Sequence, residues 1–248
     1  MNRTARFYHS ICTPQYDKRA TIPDMEPIAH IRTPFPQKFG IPRQSGLAET
    51  RACVYFEPQY ANADAVKGLD GFSHIWLIWE FQDVGSEWSP TVRPPLLGGN
   101  KHMGVFATRS PFRPNPIGLS SVELERIEYT DEGPILHVRG ADLRDGTPIY
   151  DIKPYLAYTD SHPEATGGFT DEVAWQTLAV KIDDAACETF EALPAETQHE
   201  LVQVLEQDPR PARQRGAAKD FAITYAHCNV AFCVEDGIAT VTRIECVR

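Results

Sequence analysis

Between His102 and Ser120 the chain reads HMGVFATRSPFRPNPIGLS, and its chemistry-bearing residues are Arg109, Arg113 and Asn115. Arginine presents a planar fork of donors that fits carboxylates and phosphates. Asparagine offers an amide that can read a base edge or anchor backbone. Pro111, Pro114 and Pro116 forbid a helix here and press their neighbours towards extended geometry. A second proline-punctuated loop, Thr33 to Gln44, carries Arg43 and Gln44 in the same way. On an ordinary surface such arginines would simply be solvated. Their concentration with Asn, Pro and Gly in stiff loops points to binding instead.

The elements that must hold these loops read as strands. Ile28–Ile31, Thr50–Phe56, Phe72–Phe81, Gly118–Tyr129, Pro134–Gly140 and Ile149–Leu156 are rich in branched and aromatic residues. Val105–Ala107 reads as a further strand before the loop, and Asn62–Leu69 as a short helix capped by Asn62 and ended by Gly68. Asp142–Pro148 is a turn by composition. Residues 82–101 form a long Pro/Gly loop. Many short strands with turn signals predict a β-barrel.

After Asp160 the texture changes. Asp184–Gln207 reads as helix, divided near Pro194, and Val180–Ile182 as a strand able to pair with a later one. Phe221–Glu235 and Ile238–Val247 flank Asp236-Gly237, a hairpin signal. The fold class expected is therefore mainly β: a polar extension over 1–26, a barrel domain over 27–160, and a small α+β domain over 161–248.

No apolar run approaches the roughly 20 residues needed to cross a bilayer, and the first 21 residues lack the apolar core of a secretory signal. The six cysteines are scattered without a C-x-x-C pair, which predicts free thiols, a cytoplasmic location and no zinc site. No Rossmann or Walker glycine pattern, G-x-S-x-G elbow or metal-ligand cluster occurs. The net charge of −10 argues against a generic nucleic-acid binder. Residues 1–149 are nearly balanced, with 16 Lys+Arg against 17 Asp+Glu, whereas residues 150–248 hold 8 against 17. Any RNA contact must use a local basic patch.

Several segments together resemble the TrmO (TsaA/YaeB-like) family. These are Pro42–Leu47, Phe72–Trp76, Arg93-Pro94-Pro95, Gly104–Ser120, Asp142–Pro148 with Asp151–Tyr155, and Gln207–Ala212. The resemblance spans about residues 27–248. It implies a homodimeric β-barrel that uses S-adenosylmethionine to methylate N6 of threonylcarbamoyladenosine, beside the anticodon of threonine tRNA. It further implies donor contacts at Pro42, Arg43, Gln44, Phe81, Gln82, Arg109, Leu119, Leu143, Arg144, Asp145 and Gly146. Arg113, Asn115, Arg210, Arg213 and Arg215 become candidates for the tRNA, with a solvated helix end as the competing role of the last three. Asp145 or Asp151 would take or orient the N6 proton. For Asp151 the competing role is a salt bridge to Lys153 or an arginine, and for Asp145 a turn cap. The other class of function open to this sequence is a non-catalytic barrel that senses adenosylmethionine or a related nucleotide.

Overall fold

The structure is a computed structural model that describes residues 25–82, 84–85, 87–173, 176–211, 214–215 and 219–246. The expected extension over 1–26 lies almost wholly outside the described residues.

Six antiparallel strands close into a barrel. They are β1 (Ala29–Arg32), β2 (Arg51–Phe56), β3 (His74–Glu80), β6 (Ile117–Thr130), β7 (Gly133–Arg139) and β8 (Pro148–Pro154), in the order β1-β2-β7-β6-β3-β8. The pairing of Ala29 with Ile149 completes the ring. Closure removes the free edges that an open sheet would present. Alternation along the strands sends Ile31, Val54, Ile75, Leu77, Val122, Leu136, Val138 and Ile149 inward, and all are at most 1% exposed. A bulge between Leu124 and Arg126 re-phases the long β6, so that Glu125 reaches Arg51 and Arg139.

Antiparallel pairing puts the β1–β2 connection (33–50), the β3–β6 connection (81–116) and the β7–β8 connection (140–147) on one rim. Within the second lies a small ribbon of β4 (Thr91–Val92) and β5 (Met103–Gly104). The expected strand at Val105–Ala107 is a 3-10 turn instead. Val105 buries, Phe106 is 74% exposed, and the Thr108 hydroxyl donates to the Val105 carbonyl. The expected helix over 62–69 is a pair of 3-10 turns, with Asn62 capping the first at Asp64 N.

The C-terminal part follows a short helix α1 (Ala157–Asp160). It has β9 (Ala179–Ile182), α2 (Asp184–Glu191), α3 (Ala195–Glu206), β10 (Phe221–Tyr225), β11 (Cys228–Glu235) and β12 (Ile238–Cys246). Its sheet runs β10-β11-β12-β9, with β9 parallel to β12. The single strand expected over 221–235 is broken by Ala226 and His227, both at positive φ. Cys228 and Cys246 face one another in register and form a disulfide, which corrects the expectation that all six cysteines are free. Cys53, Cys187 and Cys233 are free.

The two parts share a core. Phe35 and Ala48 of the 33–50 loop are buried among Leu201, Leu205, Ile223, Tyr225 and Phe232, with Phe39 and Ile41 packed alongside. Phe35 meets the Tyr225 ring edge-on at 5.4 Å. The backbone N–H groups of Glu49 and Arg51 donate to Gln203 and Glu200 of α3. Thus the second domain forms the floor of the 33–50 loop.

Candidate functional site

The polar groups of this rim form two adjoining clusters. In the first, Arg109 Nη1 donates to Gln44 Oε1 at 2.5 Å, and Gln44 Nε2 donates to the carbonyl of Arg43, also at 2.5 Å. Pro42 is buried beneath them. Arg109 is exposed, which leaves the rest of its donor fork facing solvent.

Arg43 is half-buried and donates to the carbonyl of Arg210 at 3.3 Å. Burial, with the nearby Arg215 charge, pushes its guanidinium below the usual arginine value, and Asp208 works the other way. Asp208 is the counter-charge for this neighbourhood. It accepts from Arg210 Nε at 2.8 Å and from Arg215 Nε at 3.1 Å.

Asp142 organises the base of this cluster. It accepts from the Ser120 hydroxyl at 2.5 Å, and Ser120 accepts from the Trp79 indole N–H at 3.0 Å. Burial raises the Asp142 carboxyl above its ordinary value, opposed by Ser120, by the Ser45 backbone and by the Arg109 charge. One carboxylate therefore addresses the 42–46 loop, the start of β6 and Arg109. The sequence reading passed over Asp142, placing it in a turn by composition. The signal available was a second acid at the head of the same D-L-R-D-G turn.

In the second cluster Gln82 is held at both ends. Its Nε2 donates to the Gly146 carbonyl at 3.0 Å, and its Oε1 accepts from Arg144. With Glu80, Phe81, Val84, Pro116, Arg144 and Pro148 it lines a cleft of about 490 Å³. The Tyr150 hydroxyl donates to Glu80 at 2.6 Å, which helps push that phenol up to about 12. Gly146 has φ +76°, a conformation that suits glycine.

The remaining candidates fall into distinct places. Leu119 is 53% exposed on β6, whereas Leu143 is 1% exposed in the barrel core. Leu143 can serve a ligand only through its backbone, and its carbonyl already accepts from Thr33. Asp145 accepts from Arg32 at 3.2 Å and from the Thr33 N–H at 3.1 Å. Asp151 pairs with Lys153 at 2.8 Å. Arg113 turns back on its own loop, donating to the carbonyls of Thr108 and Ser110. Asn115 is exposed. Arg210 is 5% exposed and chelates Asp208, so it is a structural ion-pair partner rather than a phosphate contact. Arg215 keeps 40% of its side chain exposed. Arg213 lies outside the described residues.

Residues 30–161 match the tRNA-methyltransferase O N-terminal domain, and residues 175–247 match the TrmO C-terminal domain. The chain belongs to the TrmO family of tRNA methyltransferases. It is 41% identical over 227 residues to the tRNA (adenine(37)-N6)-methyltransferase of Escherichia coli K12, covering 89% of this chain and 97% of that one. Identity to the protein of the same name from Eikenella corrodens is 46% over 184 residues, covering 71% and 99%. A crystal structure of TrmO from Pseudomonas aeruginosa superposes with a TM-score of 0.72 at 30% identity, covering 91% of this chain and 100% of that one. The family's barrel with a small α+β domain is therefore the fold of this chain. No group of three or more metal-ligating side chains occurs among the described residues, and none of their helices is long and apolar enough to cross a membrane.

Proposed function

We propose that this protein transfers a methyl group from S-adenosylmethionine to N6 of adenine 37 in tRNA, with threonylcarbamoyladenosine in threonine tRNA as the acceptor. The observation that carries the reading is the convergence of Arg43-Gln44, Arg109 and the 142–147 turn on one barrel rim, in a chain of the TrmO family.

The residues fit the donor's chemistry. The guanidinium forks of Arg109 and Arg43 suit the carboxylate of its amino-acid end. Gln82, the backbone of 143–146 and exposed Leu119 suit an adenosine. Bound there, the donor supplies an electrophilic methyl on a sulfonium. The chain's own work is then positioning, which supplies much of the rate in a displacement with little covalent chemistry for the protein. The N6 proton must leave as the new N–C bond forms. Asp145, on the rim turn, takes or orients it, with Asp151 as the second candidate. Arg215 and Asn115 contribute to tRNA contact.

The same rim supports the homodimer that the family resemblance implies. Phe106, Phe112, Ile117 and Leu119, close to Arg109 in the chain, are 74%, 46%, 40% and 53% exposed. Apolar side chains gathered in this way mark an interaction surface, and a second copy of the chain is its occupant. A cytoplasmic location accords with a tRNA substrate.

The test is transfer of labelled methyl to threonine tRNA prepared with and without its threonylcarbamoyl group. Label entering only the modified tRNA, with binding that weakens steeply in salt, is the expected result. Donor binding without transfer would leave a sensor, and absence of donor binding would overturn the site.

A further inference from the structure

Away from this rim, three adjacent strands bring a thiol, an imidazole and a carboxylate together on the outer wall of the barrel. Cys53 of β2 lies directly opposite His137 of β7 in register. Cys53 Sγ is 3.3 Å from His137 Nδ1, and His137 Nε2 is 2.8 Å from Glu128 Oε2 of β6. An ionised carboxylate can only accept, so Nε2 carries the proton that it donates to Glu128. Nδ1 is then a lone pair aimed at the thiol. Arg126 holds Glu128 at 3.0 Å, and this guanidinium together with His137 keeps the carboxyl below the usual range. The ring is thus fixed in the tautomer and orientation of a base.

The surroundings provide room for a reagent. Arg32 of β1 stands opposite Cys53 on its other side, and Tyr55 follows it on the same face of β2. Both line a surface cleft of about 430 Å³ with His30, Phe56 and Glu57. Burial pushes the Cys53 thiol up, aided by Glu128 and Glu125 and opposed by Arg126 and Tyr55. The resting sulfur is therefore a protonated thiol, and its activation comes from a base at the moment of attack.

We propose that Cys53 is a site of reversible S-thiolation by low-molecular-weight disulfides, with His137 as its base and Glu128 orienting that base. In the reaction, the Cys53 proton passes to His137 Nδ1 as Sγ attacks one sulfur of the disulfide. A new S–S bond forms and the old one breaks. The departing thiolate takes the proton from His137 and leaves as a free thiol. Excess thiol runs the same steps backwards, so no further oxidant or reductant is required.

The full chain, treated at neutral pH with oxidised glutathione and mapped by peptide mass, tests the proposal. Cys187 and Cys233, both half-buried free thiols, serve as internal references. Cys53 is expected to form the mixed disulfide roughly 10²-fold faster than either, the low end of what a positioned base supplies. Cys53→Ser removes the fast phase, His137→Gln slows it by roughly 10²-fold, and dithiothreitol restores the free thiol. Thiolation of Cys53 at the pace of Cys187 and Cys233 would overturn the proposal, as would a rate indifferent to His137→Gln in a variant that melts as the parent does. If His137→Gln fails to fold, the decision passes to Glu128→Gln, whose exposed side chain is not needed for the core. It must slow Cys53 while leaving Cys187 and Cys233 unchanged.

Discussion

The Ser120 hydroxyl donates to Asp142 at 2.5 Å and thereby ties the barrel wall to the 142–147 turn. Because the same oxygen accepts from Trp79, a core indole, a strand hydroxyl and a rim carboxylate form one chain. Asp142→Ala leaves the Ser120 hydroxyl and the Ser45 N–H without their acceptor. The expected loss is about 1–3 kcal/mol of stability, read by urea unfolding, together with weaker donor binding.

Asp142→Asn separates charge from shape. Burial raises the folded carboxyl above its ordinary 3.8. An acid raised on folding adds stability below its unfolded pKa and loses it as pH climbs through the folded one. The parent should therefore lose stability relative to Asp142→Asn as pH rises above that ordinary value. Unfolding titrations of both proteins at acid and neutral pH check the sign.

Arg109→Ala removes the fork that Gln44 holds in place. A charge-assisted hydrogen bond is worth about 1.5–3 kcal/mol, so adenosylmethionine should bind roughly tenfold to a hundredfold more weakly by calorimetry. Arg109 is exposed, and the melting temperature should barely move.

Asp208→Asn keeps a side chain that tolerates the positive φ of 49° at this position. It removes the buried charge that Arg210 and Arg215 share. Breaking a buried pair from one side costs about 3–5 kcal/mol. That loss should show in thermal unfolding, and donor affinity should fall with it because Arg43 rests on the same segment.

Gly118→Ala tests the wall itself. A Cβ at Gly118 would overlap the Trp79 indole, so one of the two must move. A loss of about 1–3 kcal/mol is expected, with a shift in tryptophan emission.

Much of this architecture was legible in the chain. The barrel strands announce themselves by their branched and aromatic residues, which suit a pleated, half-buried surface. The rim loops show in Pro42, Pro111, Pro114 and Pro116, which stiffen the backbone that carries Arg43 and Arg109. Other features depend on distant partners. Val105–Ala107 has strand-forming residues, yet its backbone closes a tight turn because only Val105 finds a core to enter. Arg210 has its partner Asp208 only two residues away, and what the sequence hides is that the fold buries both. The bond between Cys228 and Cys246 depends on the register of β11 and β12, which spacing alone does not set. Asp142 lay hidden because its importance comes from Ser120 and Ser45, both remote in sequence.

Phe35, Phe39, Ile41 and Ala48 precede β2 in the chain but pack with the second domain, and Gly40 lies against Ile223. Exchange of parts between relatives is constrained accordingly. A chimera joined near residue 160 would pair one parent's rim loop with the other parent's α3 and β10. A functional graft must carry residues 33–50 together with the C-terminal domain, so the unit of inheritance at this junction is discontinuous in sequence.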